Sequence, residues 1–224
     1  MAFCVSHRPE NQLLPLTNYG VKTMSMGYLV DEEAPVVWRG PMVMKAMQQL
    51  LHEVDWGGLD VLVLDLPPGT GDTQLTITQQ VHLNGETKWI EFPQQSVIQY
   101  ANWQPLGAVI VSTPHTLAIR DAVKGINMFK KVDVDILGLV QNMSLFTCPH
   151  CHTDTAVFGA NERVTVMCQE NGIDLLGEIP LHPAIGDDAD RGKPTVVAEP
   201  ESGRAAAFMG LARTIASKIG LAGS

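Results

Sequence analysis

The sequence predicts an α/β fold: a doubly wound, mostly parallel sheet with helices on both faces. Short apolar runs rich in Val, Ile and Leu alternate with stretches of helical period, the rhythm of strands joined by crossover helices. The runs are also nearly continuous in hydrophobicity, as strands buried on both faces must be.

The elements follow in order. Candidate strands are Val21 to Val30, Asp60 to Leu66, Gly107 to Thr113, Asp135 to Gln141 and Ile173 to Ile179. Gly, Pro or Asn often closes a run, where the chain must turn. Between the first two strands, Pro41 to Val54 places Met44, Met47, Leu50, Leu51 and Val54 at helical spacing. Pro41 suits a first helical turn, where a missing N–H loses no intrahelical bond. Thr116 to Phe129, Asn161 to Glu170 and Ala205 to Ile219 show the same period.

The stretch from Gly85 to Leu106 breaks this rhythm. It holds Trp89 and Trp103, with Tyr100, Pro93 and Pro105, in a place where α/β connections usually run about 2–6 residues. It reads as an insertion, either a surface hairpin or loop or a partner-docking element that uses exposed aromatics.

A chain of 224 residues with 45% hydrophobic content can bury a sizeable core. Its 24 acidic against 15 basic residues give a formal charge of −9, which repels a phosphate backbone and argues against a general nucleic-acid binder. No apolar run approaches the roughly 20 residues that span a bilayer, and the opening residues show neither an apolar signal core nor an Arg-rich presequence. Cys4, Cys148, Cys151 and Cys168 are too few and too unevenly spaced for a disulfide framework, which points to a reducing compartment.

Two stretches carry chemistry. In Thr147-Cys148-Pro149-His150-Cys151-His152, two thiols three positions apart can bind one soft metal centre or close a redox disulfide. Three readings compete. A redox pair normally begins a helix, and Thr153-Asp154-Thr155 does not start one. A structural zinc site needs four ligands, which His150, His152 and Cys168 would have to complete. A [4Fe–4S] cluster takes four cysteinates, and a symmetric dimer with the pair near its twofold axis would supply two from each copy. The second stretch runs from Asp60 through Asp65-Leu-Pro-Pro-Gly69-Thr-Gly71-Asp72. It predicts a carboxylate at a strand's carboxyl end, the place where α/β sheets bind ligands. Such an acid serves magnesium in P-loop nucleotidases, and Gly69 and Gly71 would let the backbone approach a terminal phosphate.

Taken together, Asp65 to Asp72, Gly138-Leu-Val-Gln-Asn-Met-Ser144 and Cys148-Pro-His-Cys151 resemble the Mrp-type branch of the ParA and MinD superfamily, the P-loop ATPases that carry iron–sulfur clusters. Met24 to Val30 and Val37 to Met44 look like the same branch, and the likeness is greatest to its mitochondrial members, which assemble respiratory complex I. The resemblance implies a homodimer that shares a labile [4Fe–4S] cluster between its Cys148 and Cys151 pairs and passes it to apoproteins, complex I subunits among them. It also implies an ATP site in which Asp65 serves the magnesium and the chemistry, Asn142 reads the adenine and the segment after Pro180 lines the base. The compartment it implies is the mitochondrial matrix, with the cytoplasm as the alternative because bacterial relatives share these motifs.

Family members open with a strand, a Gly-rich Lys-Gly-Gly-Val-Gly-Lys-Ser type loop, a helix and a strand bearing a first acid. This chain joins the pattern near Leu13 to Gly20, so residues 1–224 read as one truncated P-loop ATPase-like domain with 85–106 inserted. Without that loop, its lysine and its ring of backbone N–H groups, the phosphates would lose their main cradle. Two rivals remain. A MinD-like positioning ATPase would use an amphipathic membrane-seeking end, whereas 205–224 is Ala- and Gly-rich with only Arg213 and Lys218 as charges. The other is a zinc-bound structural or interaction protein.

Overall fold

The computed structural model describes residues 12–29, 45–46, 48–51, 53–66 and 107–221. The proposed insertion at 85–106, Gly69, Gly71 and Cys4 lie outside the described residues. The chain divides into two compact units, residues 1–80 and 81–224.

In the first unit, β1 (Leu16–Asn18) and β2 (Val21–Thr23) form an antiparallel hairpin. Its two-residue turn has φ of 49° at Tyr19 and 79° at Gly20, the doubly positive geometry that matches the right-handed twist of the flanking strands. The strand expected over Val21 to Val30 is therefore only three residues long. Ser25 then caps a 3₁₀ turn, Met26–Tyr28, by accepting the N–H of Gly27. The helix expected from Pro41 to Val54 is present wherever residues 45–51 are described. Leu13 bridges Val54, and both pack with Trp56 in a small core.

One expectation fails here. Residues 60–66 form no strand: Val61, Val63 and Leu64 are exposed, Val63 at 83%. An apolar run becomes a strand only when a neighbour supplies ladder hydrogen bonds. In this unit the bridge from Leu13 goes to Val54 and not to that run.

The second unit holds the α/β architecture. Three parallel strands, β3 (Ala108–Ser112), β4 (Ile136–Gln141) and β7 (Leu175–Glu178), lie in the order β3-β4-β7. Helix α1 (Thr116–Lys131) makes the crossover from β3 to β4, and α2 (Glu162–Asn171) lies on the path from β4 to β7. Between β4 and α2 sits a small hairpin, β5 (Phe146–Thr147) with β6 (Asp154–Thr155). After β7 come α3 (Pro183–Asp190), α4 (Thr195–Ala198) and α5 (Gly203–Lys218). Every strand and helix predicted after residue 107 is present within about two residues of its expected ends. Helices α3 and α4 were not foreseen.

Alternation along the strands divides the core in two. Ile110 and Leu139 point to one face and pack with Ala122 and Ile126 of α1 and Val164, Met167 and Cys168 of α2. Val140 and Leu176 point to the other, against Ile185 of α3 and Phe208, Leu211 and Ile215 of α5. This is the doubly wound arrangement. Full burial of a side chain such as Ile126 or Leu139, both at 0% exposure, contributes about 2 kcal/mol.

Glycine is required where β4 meets β7. Gly138 has φ of +148°, and a Cβ there would lie 2.6 Å from the Asp174 carbonyl and 2.7 Å from Leu176. Helix ends follow the expected chemistry: Ser202 accepts the Ala205 N–H at the start of α5, and Gly172 closes α2 in the left-handed conformation.

Candidate functional site

The candidate site lies at the carboxyl end of the three-stranded sheet, where chains of this architecture bind ligands. Gln141 ends β4, and its carbonyl accepts the Ile179 N–H at 2.8 Å. The N–H of Asn142 turns the opposite way, to the carbonyl of Ser112 at 2.7 Å. Two residues later, the N–H and the hydroxyl of Ser144 both donate to the carbonyl of Ile179, at 3.0 and 3.3 Å. Leu181 N–H then donates to the Leu145 carbonyl at 2.9 Å. The segment after β4 is thus laced to the segment after β7, and Asn142 and Pro180 come to lie on adjacent strands of chain. Both are half-buried.

Directly beyond this lacing the chain enters β5, and the Cys148-Pro149-His150-Cys151 turn forms the tip of the β5–β6 hairpin. Phe146 pairs with Thr155 and Thr147 with Asp154, and the Thr147 hydroxyl donates to the Asp154 carboxylate at 2.6 Å. Inside the loop, Cys148 N–H donates to the Thr153 carbonyl at 3.0 Å and His152 N–H to the Cys148 carbonyl at 2.9 Å. His152 takes a left-handed φ of 56° to complete the turn. Cys148 is half-buried and Cys151 is exposed, both as free thiols. The Thr153 hydroxyl, then the Thr153 backbone and the Cys148 thiol, hold the Cys151 thiol below its ordinary pKa by hydrogen bonding its thiolate. Such a thiol is readily ionised for metal binding.

Cys168 belongs elsewhere. It sits on α2 in the core with Val164, Ile126 and Leu139, 3% exposed, and burial pushes its thiol pKa up. It is an ordinary packed thiol and not the zinc ligand that a structural site would have needed. Among the described residues, no group of three or more His, Cys, Asp or Glu converges. Neither His150, inside the turn, nor His152, just after it, completes a ligand set among the described residues.

Cys148, Cys151, Asn142 and Pro180 all lie in the second unit. Asp65 is exposed at the end of the irregular run 61–66 in the other unit. Three features of the site were not read from the sequence: the hairpin that presents the cysteines, the Ser144 clamp, and the burial of Gln141. The Gln141 side chain is at 0% exposure, with neither amide atom partnered by protein. Threonines and an aspartate around Pro149-His150, with Phe146 and Thr155 outside them, were the available hairpin signal.

Comparison with known proteins decides the family. Residues 4–216 match the ParA-type family model described as NUBPL iron-transfer P-loop NTPase. The chain belongs to this family. Within it, the chain is 47% identical over 209 residues to the iron–sulfur cluster transfer protein NUBPL of Dictyostelium discoideum, covering 93% of this chain and 58% of that protein. It is 46% identical over 206 residues to an Arabidopsis thaliana iron–sulfur protein required for NADH dehydrogenase, mitochondrial, covering 92% of this chain and 58% of that one. The chain thus spans somewhat over half the length of these two relatives. Among solved structures it resembles a nucleotide-binding protein of Archaeoglobus fulgidus in complex with ADP, with 30% identity and a TM-score of 0.62 over 88% of this chain and 67% of that one. The P-loop NTPase family read from the motifs and the α/β fold read from the periodicity both agree with these matches. Among the described residues, no helix is long and apolar enough to cross a membrane.

Proposed function

We propose that this protein carries iron–sulfur clusters, binding a [4Fe–4S] cluster between two copies of the chain and delivering it to apoproteins, subunits of mitochondrial NADH dehydrogenase among them. The observation that carries this reading is the hairpin tip. It offers two free thiols, one exposed and one half-buried, with the exposed one held toward its ionised form, while the remaining described cysteine is locked in the core. Two thiolates are half of what a [4Fe–4S] cluster needs, and a twofold axis beside the tip doubles them. An exposed tip also suits a cargo that must leave: a cluster held at the surface by two copies can pass to a client's cysteines by ligand exchange.

The relatives' names support the cargo and the client, and the Arabidopsis one supports a mitochondrial place of work, with the matrix assigned by resemblance. The base of the family's nucleotide is assigned by resemblance to Asn142 and the segment after Pro180. Asn142 offers an amide and Pro180 a flat apolar surface at the carboxyl end of the sheet, and a bound nucleotide would supply an occupancy signal next to the hairpin. Asp65 is assigned to the magnesium by resemblance, and Gly69 and Gly71 to the terminal phosphate because a backbone without Cβ atoms can approach it.

Anaerobic reconstitution with iron and sulfide, followed by metal analysis and size measurement, tests the proposal. The expected result is about four irons per dimer with broad visible absorbance. Uptake of one zinc per monomer and no iron would replace it with a structural zinc site, and nucleotide-dependent membrane recruitment without metal uptake would favour the positioning ATPase.

A further inference from the structure

Helices α1 and α2 both begin at the carboxyl end of the sheet and lie side by side over one of its faces. Near their starts the Arg163 guanidinium donates to the Thr116 hydroxyl at 3.3 Å, and near their ends Lys130 donates to the Asn171 carbonyl at 3.0 Å. Between these ties runs a groove of about 700 Å³, floored by Ile119, Val123 and Met167. Helical spacing puts Leu117, Arg120 and Lys124 on one face of α1, and Glu162, Val166 and Glu170 on one face of α2. Leu117 is 62% exposed and Val166 49%, so each helix leaves a large apolar side chain in water beside the groove. The charges around them are sorted by helix, basic on α1 and acidic on α2. Of the two exceptions, Asp121 pairs with Lys124 at 3.0 Å and Arg163 is turned to Thr116.

We infer that two copies of the chain pack through this groove, the basic α1 of each copy lying against the acidic α2 of the other. A twofold contact is self-complementary: if α1 meets the second copy's α2, then α2 meets its α1. A twofold axis running along the groove gives this pairing, whereas an axis across it would set α1 on α1 and base on base, which is unfavourable. An axis along the groove also keeps the two helix pairs pointing the same way, so the carboxyl ends of both sheets come to one end of the dimer. The cysteine hairpins are at that end. The chain leaving each hairpin passes the starts of both helices, for a Cβ at Gly159 would lie 3.3 Å from the Pro114 carbonyl and 3.0 Å from Arg163 Nη1. One axis thus serves both the helix contact and two cysteine pairs on the same side of the dimer, as a shared cluster requires. The inference deepens the carrier reading, from which it takes a second copy as the partner.

The test measures self-association of the metal-free full chain by sedimentation, with circular dichroism to confirm folding. Wild type is expected to form dimers that loosen as salt rises. Reversing one rim, as Arg120→Glu with Lys124→Glu or as Glu162→Lys with Glu170→Lys, sets like charges together at both contacts and should weaken the dimer about ten-fold or more. An equal mixture of the two variants should recover it, because each copy then offers the other the opposite charge at both contacts. The single reversals Lys124→Glu and Glu170→Lys repeat the mixing test should a paired reversal unfold. A wild type that stays monomeric overturns the inference and leaves the groove to a client's helix. Reversed variants that dimerise like wild type overturn it too, as does a mixture of folded variants that stays apart. If the wild type dimerises through these rims but takes up no iron on reconstitution, the carrier reading falls and the interface stands.

Discussion

The backbone N–H of Cys148 donates to the carbonyl of Thr153 at 3.0 Å, closing the hairpin loop from which both thiols project. That bond fixes the root of the loop, and the β5–β6 pairs hold it to the body. Each copy presents its two thiols as one unit, so losing either leaves a symmetric pair of chains with two ligands where four are needed. Cys148→Ser and Cys151→Ser are therefore each expected to abolish the visible absorbance of reconstituted protein almost completely, not by half. Cys168→Ser should retain it. Single hairpin variants that keep their full iron would contradict the shared-site geometry.

The two kinds of cysteine should also separate chemically. Cys151 is exposed with its pKa lowered, chiefly by the Thr153 hydroxyl, and Cys168 is buried with its pKa raised. Because the thiolate is the nucleophile, iodoacetamide at neutral pH should label Cys151 well before Cys168 in folded, metal-free protein. Thr153→Val removes the hydroxyl and should move the Cys151 labelling profile to higher pH. Peptide mapping of the labelled sites reads both effects, and an unmoved profile in Thr153→Val would discount the hydroxyl.

At Gly138 the demand is steric. An alanine would meet the Asp174 carbonyl at 2.6 Å, with backbone φ at +148°, so strand β4 would have to part from β7. The expected loss from Gly138→Ala is on the order of 3 kcal/mol, measured by urea unfolding. Gly125, on α1 with open space around its Cβ position, is the control, and Gly125→Ala should stabilise by about 0.5–1 kcal/mol.

What the sequence showed and what it hid have physical causes. Strands β3, β4 and β7 and helices α1, α2 and α5 were legible because each buries a periodic apolar face: Ile110 and Leu139 on one side, Val140 and Leu176 on the other. The run 60–66 has the same apolar character yet stays unpaired and exposed, since periodicity reports a capacity to pair and not the presence of a partner. Helix α3 has mostly polar residues after Ile185 and is set by its start, where Pro183 occupies the first turn and His182 caps Ala184. The cysteine pair was legible as chemistry but not as a hairpin, because two-residue strands such as Phe146–Thr147 are too short to show alternation. The turn at Met143, with φ of 54°, could not be read at all, because methionine has no preference for positive φ.

A final expectation concerns alkaline stability. Cys168 is packed against Val164, Ile126 and Leu139, and burial, with a smaller contribution from the negative charge of Asp174, raises its thiol pKa in the folded protein. The unfolded chain keeps the ordinary thiol value near about 8.5. Below that pH both states hold the proton, and the thiol has no influence on the slope of stability against pH. Above it, the unfolded state releases a proton that the folded state retains, so the unfolded state binds fewer protons and stability falls as pH rises toward the folded pKa. Cys168→Ala lacks this titration. At pH 7.5 the variant should be less stable than wild type by about 1 kcal/mol, the order expected for a small buried deletion. By pH 10 the gap should narrow, because only wild type loses stability through this group. Urea unfolding of both proteins at pH 7.5, 9 and 10 gives the difference directly. A gap that stays constant across that range would mean the thiol ionises as easily inside the core as outside it, contrary to its burial.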